Sequence, residues 1–97
     1  MSHCFKSKLV KYSSAKVTWY FADVPLEISH EIRLTTPIFG GFGSVRVLAK
    51  IADISWKTSI FPDSRKKCYI LPIKAEIRKK LDLTEGCEIE IQIDCEV

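Results

Sequence analysis

The 97-residue sequence predicts a mainly β fold: a six-stranded barrel with two short capping helices and a pseudo-two-fold internal repeat. Three observations carry that prediction. Apolar and polar residues alternate with a period of two over most of the chain, the pattern of half-buried strands. Two short stretches break the alternation, each with a proline at its head and apolar residues at helical spacing. Both stretches lead through a glycine into another alternating segment, so strand, apolar residue and proline, short helix, glycine and strand occur twice in the same order.

The elements follow in chain order. Residues 5–12 form the first strand, and residues 1–4 ahead of it are expected to fray. Val17, Trp19 and Phe21 mark the second strand. Residues 24–33 then place Pro25 in a first helical turn, Glu27 early, and Ile28 and Ile32 four apart on one face. Proline is tolerated there because its missing N–H would lack a helical partner anyway. Val45, Val47, Ala49 and Ile51 make the third strand, with Arg46 and Lys50 turned outward. Ile54, Trp56, Thr58 and Ile60 make the fourth, against Ser55, Lys57 and Ser59, and residues 68–71 make a short fifth. Leu71 and Pro72 open a second helix through Leu81, whose Arg78, Lys79 and Lys80 suit the negative end of the helix dipole. Neither helix is long enough to be stable alone, so Ile28 and Ile32 in one and Ile77 and Leu81 in the other must pack on the sheet. Cys87, Ile89, Ile91, Ile93, Cys95 and Val97 alternate with Glu88, Glu90, Gln92, Asp94 and Glu96 in the last strand. Ile28 and Ile32 correspond to Ile77 and Leu81 at an offset of 49, and the strands after Gly43 and Gly86 follow. A repeat of this kind implies interlocked halves and lets one chain close its own barrel, which favours a monomer.

Composition bounds the function classes. A hydrophobic fraction of 46% with 28% charged residues excludes disordered, collagen-like and low-complexity chains. The length fits a single domain over residues 1–97. No apolar run approaches the ~18 residues that a membrane-spanning helix needs. The N-terminal residues lack the apolar stretch of a signal peptide, which points to the cytosol. The net charge of +3 hides an asymmetry: all 15 Lys and Arg lie in residues 1–81 against six acids, whereas residues 82–97 hold six acids and no base. An acidic last strand pairing with basic neighbours would compensate this internally, at about 0.2–1 kcal/mol per cross-strand pair. Cys4, Cys68, Cys87 and Cys95 show no C-x-x-C pair and no zinc-ribbon spacing, so they read as reduced structural thiols.

The sequence holds stretches that point to a family. Gly41 to Val47 (GFGSVRV), Trp56 to Asp63 (WKTSIFPD) and Tyr69 to Lys74 (YILPIK) resemble the domain-of-unknown-function family nineteen-oh-five, and Tyr20 to Pro25 (YFADVP) agrees with its earlier strand-to-helix junction. The resemblance covers roughly residues 5–96. It implies a double-split β-barrel, with no established activity. Members often occur with a domain associated with bacteriocin protection, which is not among these residues. A narrower stretch, Tyr69 to Glu90, is similar to the AbrB/MazE swapped-hairpin element, in which a strand, a proline step, a short basic helix and a Gly-Asp turn form half of a dimeric barrel that often binds DNA. Here Cys87 stands where that pattern has Asp, although Gly86 can still supply the positive φ the turn needs.

Candidate sites divide into three classes. Trp19, Trp56, Phe61 and Tyr69 either fill the barrel or line an apolar pocket, and Phe39 and Phe42 in the connection over residues 34–43 either cover a ligand at the barrel mouth or help plug its end. Glycines in that connection do not match a phosphate-binding loop, because no Gly-Lys-Ser/Thr follows. Arg65, Lys66 and Lys67 with Arg78, Lys79 and Lys80 form a basic set that either contacts nucleic-acid phosphates or is a solvated face. No aromatic interleaves with the six, so no base-stacking platform is indicated. Catalysis has no such constellation: His3 and His30 belong to no motif, and Ser29, His30 and Glu31 are helix neighbours that do not face one another. These readings lead to a non-catalytic binding or interaction module that needs no cofactor or metal. Its partner would be a small molecule or a protein, with AbrB-like nucleic-acid binding as the alternative.

Overall fold

In the computed structural model, which describes residues 2–35 and 43–95, the six alternating segments close into an antiparallel barrel. The chain runs β1 (Ser2–Ser13), β2 (Thr18–Asp23), α1 (Leu26–Thr35), β3 (Val45–Ile51), β4 (Ile54–Asp63), β5 (Cys68–Pro72), α2 (Ala75–Lys80) and β6 (Glu88–Cys95). Around the barrel the order is β1-β2-β5-β4-β3-β6, with β6 returning to β1. The first and fourth strands are longer than their alternation predicts. β1 begins at Ser2, because His3 and Phe5 continue the inward-facing series of Leu9; residues 2–4 are paired with Asp94, Ile93 and Gln92 rather than frayed. β4 runs through Pro62 to Asp63. Proline is tolerated there because Pro62 faces Tyr69, whose N–H and C=O both turn away from β4, to Ser29 and Val24.

These two long strands build the barrel. β1 pairs with β6 over residues 2–8 and with β2 over residues 9–13. β4 pairs with β3 over residues 54–60 and with β5 over residues 61–63. Each therefore leaves one sheet for the other half-way along, which closes the barrel and pairs most of the sheet edges that endanger small β proteins. Inward side chains from all six strands fill the interior, with Leu9, Val47, Ile60, Leu71, Ile91 and Ile93 almost wholly buried. Ile32 of α1 and Ile77 of α2 add to the same core.

The repeat is real in three dimensions. Exchanging β1, β2 and β3 with β4, β5 and β6 maps the strand order onto itself. Ala22 pairs with Leu71, its own equivalent 49 residues on. On either side of that pair lie matching hydrogen bonds: the Val24 N–H donates to the Tyr69 carbonyl at 2.8 Å, and the Ile73 N–H donates to the Tyr20 carbonyl at 2.9 Å. The pseudo-two-fold axis thus passes between β2 and β5. The acidic last strand lies where the charge asymmetry requires, with Lys6 opposite Glu90 and Lys8 opposite Glu88. Gly86, at φ +85°, supplies the left-handed turn into β6.

Candidate functional site

Because β5 has only five residues, it cannot keep β2 and β4 apart along their whole length. After Pro72 the chain turns away into α2, and beyond that point β2 and β4 face each other across the space that a longer β5 would fill. A groove of about 350 Å³ occupies this space. It is lined by three consecutive residues of β2 (Thr18, Trp19, Tyr20), three of β4 (Trp56, Lys57, Thr58), and the start of the second helical segment. Successive strand residues point to opposite faces, so three in a row can line one groove only if it lies along the strand edges. The pairing agrees: residues 18–20 pair with β1 on one edge, residues 56–58 pair with β3 on one edge, and among the described residues no strand pairs with their other edges.

The side chains in the groove combine aromatic surface with positive charge. Trp19 is 54% exposed, whereas Trp56 is 8% exposed and belongs to the core. The Arg78 guanidinium lies over the Tyr20 ring, 3.6 Å from its centroid, and its Nε donates to the Ile73 carbonyl at 3.2 Å. A cation held over an aromatic face in this way gains about 0.5–2 kcal/mol and is fixed in orientation. Its remaining N–H groups have no hydrogen-bond partner among the described residues. Lys57 and Lys74 also line the groove, and no carboxylate does. The Lys74 ammonium is 3.9 Å from Glu76, an exposed pair of little strength.

The equivalent place in the other half is built differently. Ser29 stands where Arg78 stands, 49 residues earlier, and its hydroxyl donates to the Val24 carbonyl at 3.0 Å just as Arg78 does to Ile73. The Ser29 oxygen also accepts the Tyr69 N–H at 3.0 Å. Tyr69, the counterpart of Tyr20, is buried at 2% exposure.

Of the aromatics singled out from the sequence, Trp19 and Trp56 come together in the groove. Tyr69 is a core residue on the other side of the two-fold axis, Phe61 is exposed on the outside of the barrel, and Phe39 and Phe42 lie outside the described residues. The basic set divides. Arg65, Lys66 and Lys67 form the hairpin before β5 and Arg78, Lys79 and Lys80 lie after it, so a strand of about 17 Å separates the two groups. Lys66 is held by Asp23 at 3.2 Å and lies over the Phe21 ring, Lys80 pairs with Glu76 at 3.4 Å, and Arg78 is engaged by Tyr20. Sequence reasoning did not single out Tyr20, Lys57 or Lys74. The clue to Tyr20 was the repeat itself, which sets Tyr20 against Tyr69 and Ser29 against Arg78.

Other chemistry has less to stand on. His30 is exposed on α1. Among the described residues no three of His, Cys, Asp and Glu converge as a metal site. The four cysteines are free thiols, and burial together with the Asp23 carboxylate pushes Cys68 above the usual thiol range. A larger concavity, of about 510 Å³, lies over the outer face of β6 beside Leu81 and Leu83. It mixes Lys50 with Glu88 and Glu90 and contains no aromatic residue, so its charge favours no ligand class.

The family model described as "Domain of unknown function (DUF1905)" matches residues 5–93. The chain belongs to the DUF1905 family. No curated protein matches it. In this DUF1905 barrel the groove between β2 and β4 sets the exposed Trp19 beside Lys57, Lys74 and Arg78. No helix among the described residues is long and apolar enough to cross a membrane.

Proposed function

We propose that this DUF1905 barrel is a non-catalytic binding module whose ligand enters the groove between β2 and β4. One observation carries the reading: at one of two pseudo-equivalent places the chain is sealed by Ser29 and Tyr69, and at the other it leaves an exposed Trp19 beside Trp56 and a guanidinium with unused donors. Pockets that combine apolar walls with a few fixed polar groups are the usual form of a ligand site. Nucleic-acid binding through the basic residues is the competing reading. It is weakened by the separation of the two groups along β5 and by the partners that Lys66, Lys80 and Arg78 already have.

The test is an NMR titration of the ¹⁵N-labelled protein with three probe sets: aromatic carboxylates, random dodecapeptides and single-stranded oligo(dT). The two indole N–H signals, from Trp19 and Trp56, report on the groove. Shifts centred on these indoles, lost in Trp19→Ala, are the expected result. Shifts confined to Arg65–Lys67 and Lys79 with oligo(dT), and weakened by salt, would replace this reading with the nucleic-acid one. Silent indoles with every probe would end it.

A further inference from the structure

The groove is a gap in a β-sheet, and this suggests what fills it. Neighbouring strands stand about 4.8 Å apart, so β2 and β4, with β5 between them over residues 21–23 and 61–63, are spaced for one strand. Where β5 turns off, that one-strand spacing opens into the groove. Thr18–Tyr20 and Trp56–Thr58 present from opposite sides edges that no described strand pairs, although the Ile73 N–H already donates to the Tyr20 carbonyl. Edges of this kind are templates for adding a strand. The outward side chains beside the gap are Trp19 and Lys57, with Arg78 and Lys74 at its helical end; no carboxylate lines the gap, and of the three cations only Lys74 has one nearby, the exposed Glu76 at 3.9 Å.

We infer that the groove takes an extended acidic peptide segment from a partner protein, which pairs as a short strand in the continuation of β5 and sets its carboxylates against Lys57, Lys74 and Arg78. The inference rests on the groove being the binding site. Backbone hydrogen bonds to the two edges hold the segment, Trp19 covers it from outside, and the cations choose acidic sequences. Acidic character is the distinguishing commitment: a neutral segment would find the same edges but leave Lys57 and Arg78 unmatched and Lys74 with only its weak Glu76 contact. A segment of three to four residues suffices, since backbone groups alternate between the two edges of a strand and those turned to the gap belong to Thr18, the Tyr20 N–H and Lys57.

The experiment is selection of a random dodecapeptide library displayed on phage against the immobilised full chain. Selected peptides are then synthesised and measured by fluorescence anisotropy. Enrichment of Asp and Glu is expected, with affinity falling tenfold or more in Lys57→Glu and in Lys74→Glu. N-methylation of alternate peptide residues should abolish binding, because it removes the donors that strand pairing uses, and methylation of the intervening residues should not. Amide exchange should slow at Thr18, Tyr20 and Lys57 on binding, while Trp56 and Thr58, whose amides face β3, stay unchanged. Enriched peptides without acidic bias, or peptides that tolerate N-methylation at every position, would overturn the inference. If peptides fail while aromatic carboxylates shift both indoles, strand addition is wrong and the groove reading stands. If neither probe reaches the indoles, both fail.

Discussion

Ser29 and Arg78 hold the same place in the two halves of the barrel, 49 residues apart, and do opposite things. Each donates to the carbonyl five residues behind it, Val24 or Ile73. Ser29 is small enough to let a tyrosine backbone reach its hydroxyl, and Tyr69 sinks into the core. Arg78 is long, crosses to the face of Tyr20 and leaves that tyrosine half-buried at the groove. A fold built twice offers two gaps of one design. In this chain one has been spent on stability and the other kept open with aromatic and cationic walls.

The comparison can be broken most forcefully at the two tryptophans. Trp56→Ala removes a large core side chain and should cost about 3–5 kcal/mol, enough to unfold much of so small a protein. Trp19→Ala should stay within about 0.5 kcal/mol by urea denaturation, as exposed positions do. A Trp19 loss as large as that of Trp56 would make it a structural residue and close the case for an open groove.

Next in size is the serine. Ser29→Ala leaves the Tyr69 N–H and the Val24 carbonyl each short of a partner inside the protein, and should cost about 1–3 kcal/mol. Arg78→Ala, at a half-exposed position, should cost about 1 kcal/mol or less, and equal losses would mean that both gaps are structural.

The thiols give a finer contrast. Cys4 is exposed, whereas burial and the Asp23 charge hold the Cys68 proton more tightly than in the unfolded chain. Iodoacetamide at neutral pH should therefore modify Cys4 first and Cys68 only on unfolding, which peptide mass spectrometry can follow. The sign of the linkage follows from the raised pKa. The stability that the Cys68 thiol contributes is full below the unfolded thiol pKa and is lost as pH climbs through and above it. The smallest effect belongs to Lys66 and Asp23, a pair about 40% exposed on both sides, where Lys66→Ala should change stability by about 0–1 kcal/mol and less in high salt.

Much of this architecture was legible in the sequence because alternation reports burial directly. The series Val45, Val47, Ala49 and Ile51 is buried at every position, and the two helices fall within a few residues of their proline signals. The barrel and the repeat followed from the same pattern. Strand ends were less legible: β4 continues through Pro62, and only its pairing partner explains why that proline is harmless. The groove was half legible. Trp19 and Trp56 were singled out as aromatics, but the series Val17, Trp19 and Phe21 suggested the wrong inner face for β2: its buried residue is Ala22, which turns Trp19 outward, whereas Trp56 lies on the inner face of β4. Tyr69 went to the core for a reason held 40 residues away, in the hydroxyl of Ser29.

The closing of β1 on β6 also governs when this molecule can fold. Ser2 meets Asp94 and Lys8 meets Glu88, so the seam joins the opening residues of the sequence to nearly its last. During synthesis the barrel cannot shut until β6 has emerged from the ribosome, and until then the first half of β1 has no neighbour on that side. Contacts so distant along the chain place refolding on the slow side for a chain this short, in the millisecond-to-second range typical of such β topologies. A nascent chain stalled before β6 would expose the inward faces of Phe5 and Leu9, and would be a target for chaperones.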